Sequence, residues 1–252
     1  MKTVPGLLAL LALLSPAPAQ SAVVTFQQGA DNEWVSDYTG TSDTQLATNS
    51  KNATAGDLDF FLVGRNQTRY SIIRFDLSSL QGAPLSVSSA TITLTRTGNA
   101  TAADFDIEVH SVAATNGGWD EMTASWAHLN ATAETPWKNA AGDDQVAFSG
   151  AVGALHQSVA YSTTSDSFTF EVPLAVLQQW IDAPSSSGGL ALVPVGSNGD
   201  NANAAYFGSS EHATMAYRPL LTIHYAAIPE PSVAVIGLGG LGLVWVFSRK
   251  RR

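Results

Sequence analysis

Ser167-Phe168-Thr169-Phe170-Glu171-Val172 places an apolar side chain at every second position, with polar ones between. A side-chain period of two belongs to a β-strand with one buried face and one wet face. Thr91-Ile92-Thr93-Leu94-Thr95 and Phe105-Asp106-Ile107-Glu108-Val109 read the same way. Working outward, short alternating or apolar runs recur at residues 23–26, 60–63, 71–77, 190–195, 204–207 and 220–225. Gly-, Asn-, Ser- and Thr-rich turns separate them, and the polar stretch 39–56 reads as a connection. Many short strands between turn signals imply an all-β fold, an antiparallel β-sandwich or jelly roll. One segment departs from the pattern. Residues 174, 177, 180 and 181 are apolar and follow Pro173, which predicts one short helix over 173–182. Leu177 and Trp180 would pack that helix on a sheet.

Both ends of the chain read differently from the body. Lys2, the apolar run 7–14 and the small-x-small site Ala17-Pro18-Ala19 make a secretory signal peptide, residues 1–19, cleaved after Ala19. At the other end stand Pro229-Glu230-Pro231, an apolar run over 232–247, and Arg249-Lys250-Arg251-Arg252. The apolar run is about 16 residues, short beside the roughly 20 that span a bilayer, and it predicts a single apolar helix. Its basic end would stay on the cytoplasmic side. An ordinary C-terminal anchor is one reading. The order Pro-Glu-Pro, Gly-rich apolar stretch and terminal basic cluster also resembles the PEP-CTERM sorting signal of Gram-negative bacteria. That resemblance implies recognition by an exosortase in the inner membrane. Processing and delivery to the cell surface or extracellular matrix would follow, often alongside exopolysaccharide. The chain thus divides into 1–19, a body over 20–228 and a tail over 229–252.

The whole chain carries a net charge of −9. Without its two ends, the body keeps 7 basic and 20 acidic residues, a net −13. Such a surface repels nucleic acid and anionic lipid, and it tolerates divalent cations and neutral sugars. There is no cysteine, so no disulfide braces the exported fold and core burial must hold it.

Signals for catalysis are sparse. Neither Gly-x-Ser-x-Gly nor His-Glu-x-x-His occurs, and the five histidines fall in separate segments. A glycosidase needs two carboxyls facing each other across a cleft, which adjacent pairs such as Asp120-Glu121 do not establish. The body therefore reads as a binding protein, not an enzyme. Gly117-Gly118-Trp119-Asp120-Glu121-Met122-Thr123-Ala124-Ser125-Trp126 is more pointed. Aromatic faces stack on the apolar faces of sugar rings, so tryptophans among Asp, Glu and Thr offer a sugar platform. The other reading is that Trp119 and Trp126 plug the sandwich. Trp137, after Pro136, is expected in a loop and exposed, and Trp34, among Asp31, Asn32, Glu33 and Asp37, is a further platform candidate. Arg74 sits between Ile73 and Phe75 and so points to the opposite face of its strand. If that face is covered it needs a carboxylate, and Asp76 lies two residues on, on the same face. No cofactor is otherwise implied, but Asp31, Asp37 and Glu211 could supply oxygens to a structural Ca²⁺.

Several segments in order resemble the DNRLRE, or disaggregatase-related, domains. They are Val63-Gly64, Ile73-Arg74-Phe75-Asp76-Leu77-Ser78-Ser79-Leu80, Ala90-Thr91-Ile92-Thr93-Leu94, Trp119-x-Glu121-x-Thr123-x-Ser125-Trp126, Phe207-Gly208-Ser209-Ser210-Glu211 and Arg218-Pro219-Leu220-Leu221-Thr222-Ile223. The string Asp-Asn-Arg-Leu-Arg-Glu itself is absent. The resemblance spans about residues 23–225 and implies a β-sandwich of the carbohydrate-binding-module kind. The expected partner is extracellular polysaccharide, bound without cleavage. A structural matrix protein with no discrete sugar site, or a polysaccharide lyase or hydrolase, are the alternatives.

Overall fold

Alternation becomes geometry first in a four-stranded sheet. The computed structural model describes residues 21–98, 105–162, 164–196 and 203–228. The strands are β1 (Ser21–Gln27), β2 (Thr41–Ala47), β3 (Phe60–Gly64), β4 (Arg69–Phe75), β5 (Leu85–Thr95), β6 (Phe105–Val112) and β7 (His128–Asn130). They continue with β8 (Thr135–Lys138), β9 (Asp144–Gln145), β10 (Val152–Tyr161), β11 (Ser167–Glu171), β12 (Leu190–Val195), β13 (Ala204–Gly208) and β14 (Leu220–Ala227). The first sheet has the order β1-β14-β5-β11. Ile92 and Leu94 of β5, Phe168 and Phe170 of β11, and Leu221 and Ile223 of β14 are buried on one face. Ser167, Thr169 and Glu171 face solvent.

The second sheet runs β10-β6-β12-β4-β3-β13, with β2 also paired to β4, and every pairing is antiparallel. The two sheets enclose a core that includes Phe26, Phe75, Ile92, Phe170, Phe207 and Ile223. The all-β sandwich reading therefore holds. One α-helix, α1 (Leu174–Asp182), follows Pro173 as expected. Leu177 and Trp180 join the inter-sheet core, where Trp180 meets Phe75 at 5.6 Å between ring centroids.

The second sheet departs from the one-wet-face expectation. Ile72 and Ile73 are both buried, as are Leu190, Ala191 and Leu192. Consecutive buried residues mean that both faces of β4 and β12 are covered. The outer face carries a second apolar cluster of Leu46, Ile72, Trp119, Trp126, Trp137 and Phe148. Residues 113–151 supply most of it and include the small sheet β7-β8-β9. Three strands too short to build a core of their own are held by tryptophans on the large sheet.

The expected signal peptide with its Ala19 site, and Pro229, Glu230, Pro231 and the expected apolar helix after them, lie outside the described residues. Among the described residues no helix is long and apolar enough to cross a membrane.

Candidate functional site

The expected tryptophan platform is not on the surface. Trp119 is 1% exposed, Trp126 7% and Trp137 0%. Trp119 donates its indole N–H to the Gly188 carbonyl at 2.9 Å, and Trp137 donates to Ser125 O at 2.9 Å. Trp126 packs on Tyr70 at 4.9 Å, and Trp137 meets Phe148 edge-on at 5.0 Å. Trp137 lies on β8, not in a loop. The physical reason is the cover itself: residues 113–151 have few other apolar side chains to fix them to the outer face. Trp34 is half-buried, packs against the inter-sheet core and donates to Glu33 Oε1 at 3.2 Å. It alone of the four keeps part of its surface open.

Arg74 does meet a covered face, but its partners differ from the expected Asp76. Its guanidinium donates to the carbonyls of Gly117 and of Trp119, the latter at 2.9 Å, and lies 4.6 Å over the Trp119 ring. Asp76 instead accepts from the Ser78 N–H at 2.9 Å. Arg74 is thus an anchor for the 117–121 loop.

The three residues expected to hold Ca²⁺ do not form one group. Asp31 and Asp37 share a turn, in which Asp37 N–H donates to Asp31 Oδ1 at 2.7 Å. Glu211 belongs with Asp43 and Glu121 instead. Among the described residues, no three His, Asp or Glu side chains already stand as a metal-holding group.

The acidic group centres on Asp43 of β2. Its Oδ2 accepts from the Ser210 N–H at 2.8 Å, while its Oδ1 is buried with no hydrogen-bond partner. Glu121 Oε2 accepts from the Asp43 N–H at 3.2 Å, and Glu211 Oε1 accepts from Ser210 Oγ at 2.7 Å. Burial, then the nearby Glu211, pushes the Asp43 carboxyl well above the usual carboxylate range. Burial and Glu211 likewise push Glu121 up to about 7. Two of the segments that carry the family resemblance, 119–126 and 207–211, therefore meet at Asp43. Sequence reading missed Asp43 because β2 is too polar to read as a strand.

Open grooves flank the sandwich elsewhere. Strand β10 edges one sheet and β11 the other, and α1 closes the space between them. The larger groove, about 630 Å³, is lined by Ser88, Ser89, His156, Gln157, Glu171 and Leu174 among others. A second, about 520 Å³, continues past His156 to Asn139 and Gln179. Gln157 Oε1 accepts from the Glu171 N–H at 3.0 Å, which ties the two sheet edges together. A shift of register in β10 between Val152 and Gln157 leaves residues 153–156 exposed along this rim. Hydroxyl, carboxamide, carboxylate and imidazole groups stand there beside apolar Val172, Pro173 and Leu174.

No known family model matches this chain, and no curated protein matches it either.

Proposed function

We propose that the body binds extracellular polysaccharide without cleaving it. The observation that carries this reading is the pair of grooves that share His156 along the open flank of the sandwich. Two adjoining grooves that share His156 can accommodate a chain of sugars. The polar groups around them can hydrogen-bond ring hydroxyls, and Leu174, 49% exposed, offers an apolar contact for a ring face. The body's −13 charge favours neutral glycans, or acidic ones bridged by a cation. Trp34 is a separate, smaller platform at another edge.

The segments quoted above also support a jelly-roll module of the DNRLRE kind, exported by its signal peptide. Residues 229–252 support sorting by an exosortase, with an inner-membrane intermediate before the cell surface or matrix. A panel of immobilised neutral and acidic glycans tests the proposal. Retention of the protein on at least one glycan, with no release of reducing ends or unsaturated products, is the expected result. Retention on none favours a structural matrix protein. Product release makes the groove an active site, with His156 and Glu171 the first residues to examine.

A further inference from the structure

A buried carboxylate needs a proton, a cation or a full set of donors. Asp43 is 1% exposed; its Oδ2 accepts from the Ser210 N–H, and its Oδ1 is buried with no hydrogen-bond partner. Two more carboxylates approach it from separate loops. Glu121 rests on the Asp43 N–H, and Glu211 rests on the hydroxyl of the same Ser210 that holds Asp43 Oδ2. Asp120 adds a further negative charge beside Glu121. The cation that acts on Glu121 is Arg74, and its guanidinium is already engaged by the carbonyls of Gly117 and Trp119. The ion pairs among the described residues, Arg96–Asp166, His110–Glu108 and Lys138–Asp144, involve none of the three carboxylates. Glu211 is exposed, so the group opens to solvent on one side.

We infer that Asp43, Glu121 and Glu211 form a divalent-cation site. Its donors are all oxygen, which suits Ca²⁺ above softer ions; backbone carbonyls and water would complete six to eight ligands. Asp43 is fixed by β2, whereas Glu121 and Glu211 sit on loops and can swing. Among the described residues the three do not converge on one point, so binding an ion requires Glu121 and Glu211 to swing toward Asp43. The ion would clamp the loop after Trp119 and the loop after β13 onto strand β2. This inference does not depend on glycan binding.

Thermal melting of the chelator-treated protein at pH 7.5, with CaCl₂ or MgCl₂ added, tests it. Ca²⁺ at a hundredfold excess over its Kd should raise Tm by about 5–10 °C, with Mg²⁺ weaker. Asp43→Asn should abolish the Ca²⁺ shift. If that variant does not fold, Glu211→Gln, at the exposed rim, should remain folded and weaken Ca²⁺ binding about tenfold. Lowering the pH to 5 should shrink the shift, as protons compete for the same oxygens. A Ca²⁺ shift that survives both substitutions puts the ion elsewhere and overturns the proposal. So does a Tm indifferent to Ca²⁺ that rises on acidification, since the carboxyls would then be neutralised by protons alone.

Discussion

Trp137 shows how a single side chain changes meaning between sequence and fold. Next to Pro136 and amid polar neighbours, it reads as an exposed sugar platform. In the fold it has no exposure and fills the space between Phe148 and the outer sheet face. Trp137→Ala should therefore cost about 3–5 kcal/mol, as a buried aromatic truncation does. Urea unfolding monitored by circular dichroism checks this. A loss under about 1 kcal/mol would restore the surface reading. Trp126, read either as plug or platform, is a plug. Arg74 was legible as a residue needing a partner on a covered face. Its choice of carbonyls over Asp76 was not, because the loop that supplies them comes from 43 residues away. Asp43 and Glu121 give a pH signature of the metal-free protein. Both are pushed above their ordinary values, so the folded state binds more protons than the unfolded chain. Stability from this source is present below the ordinary value of 4.5 for Glu121 and lost as pH rises through about 7. Chelator-treated protein should melt at lower temperature at pH 8 than at pH 5.5. Asp43→Asn should flatten that slope.

At the scale of elements, strands with an alternating or continuous apolar run were legible. Strand β11 and strand β12 lie close to where their residues place them, and α1 starts directly after Pro173. Three kinds of element were not. Strand β2 carries Thr41, Asp43 and Thr44 buried, so it lacks the apolar alternation that marks a strand. Strand β10 is an exposed edge with a register shift, so most of its side chains are wet. Strands β7, β8 and β9 are too short to show a period. Their attachment depends on close backbone approaches. A Cβ on Gly117 would stand 2.3 Å from the backbone of Ser186, in the 3₁₀ turn Pro184–Ser186. Backbone cannot yield cheaply there. Gly117→Ala should destabilise by roughly 1–3 kcal/mol, the cost of overpacking. Hydrogen exchange should show the loss in residues 113–151 first. Unchanged protection there would mean the cover is not held through this contact.

At the scale of the whole molecule, two sheets and an outer cover bury two apolar clusters without a disulfide. That division explains why the acidic body can leave its flanks polar and open, and why Trp119, Trp126 and Trp137 are spent on the cover. The proposed export rests on the sequence of the two ends of the chain. Deleting residues 229–252 should remove any membrane-bound stage and send the body directly to the periplasm. Identical fractionation of the full and shortened chains would set the tail aside as a sorting signal. The proposed glycan binding is assigned to the flank, where both grooves pass His156. His156 is exposed and holds no part of either core, so His156→Ala leaves the fold intact. The most direct measurement is calorimetric titration of the wild-type protein and of His156→Ala with the glycan that retains it best. The account predicts saturable binding by the wild type, weakened about tenfold or more in the variant at unchanged Tm. Equal affinities in the two proteins would contradict it.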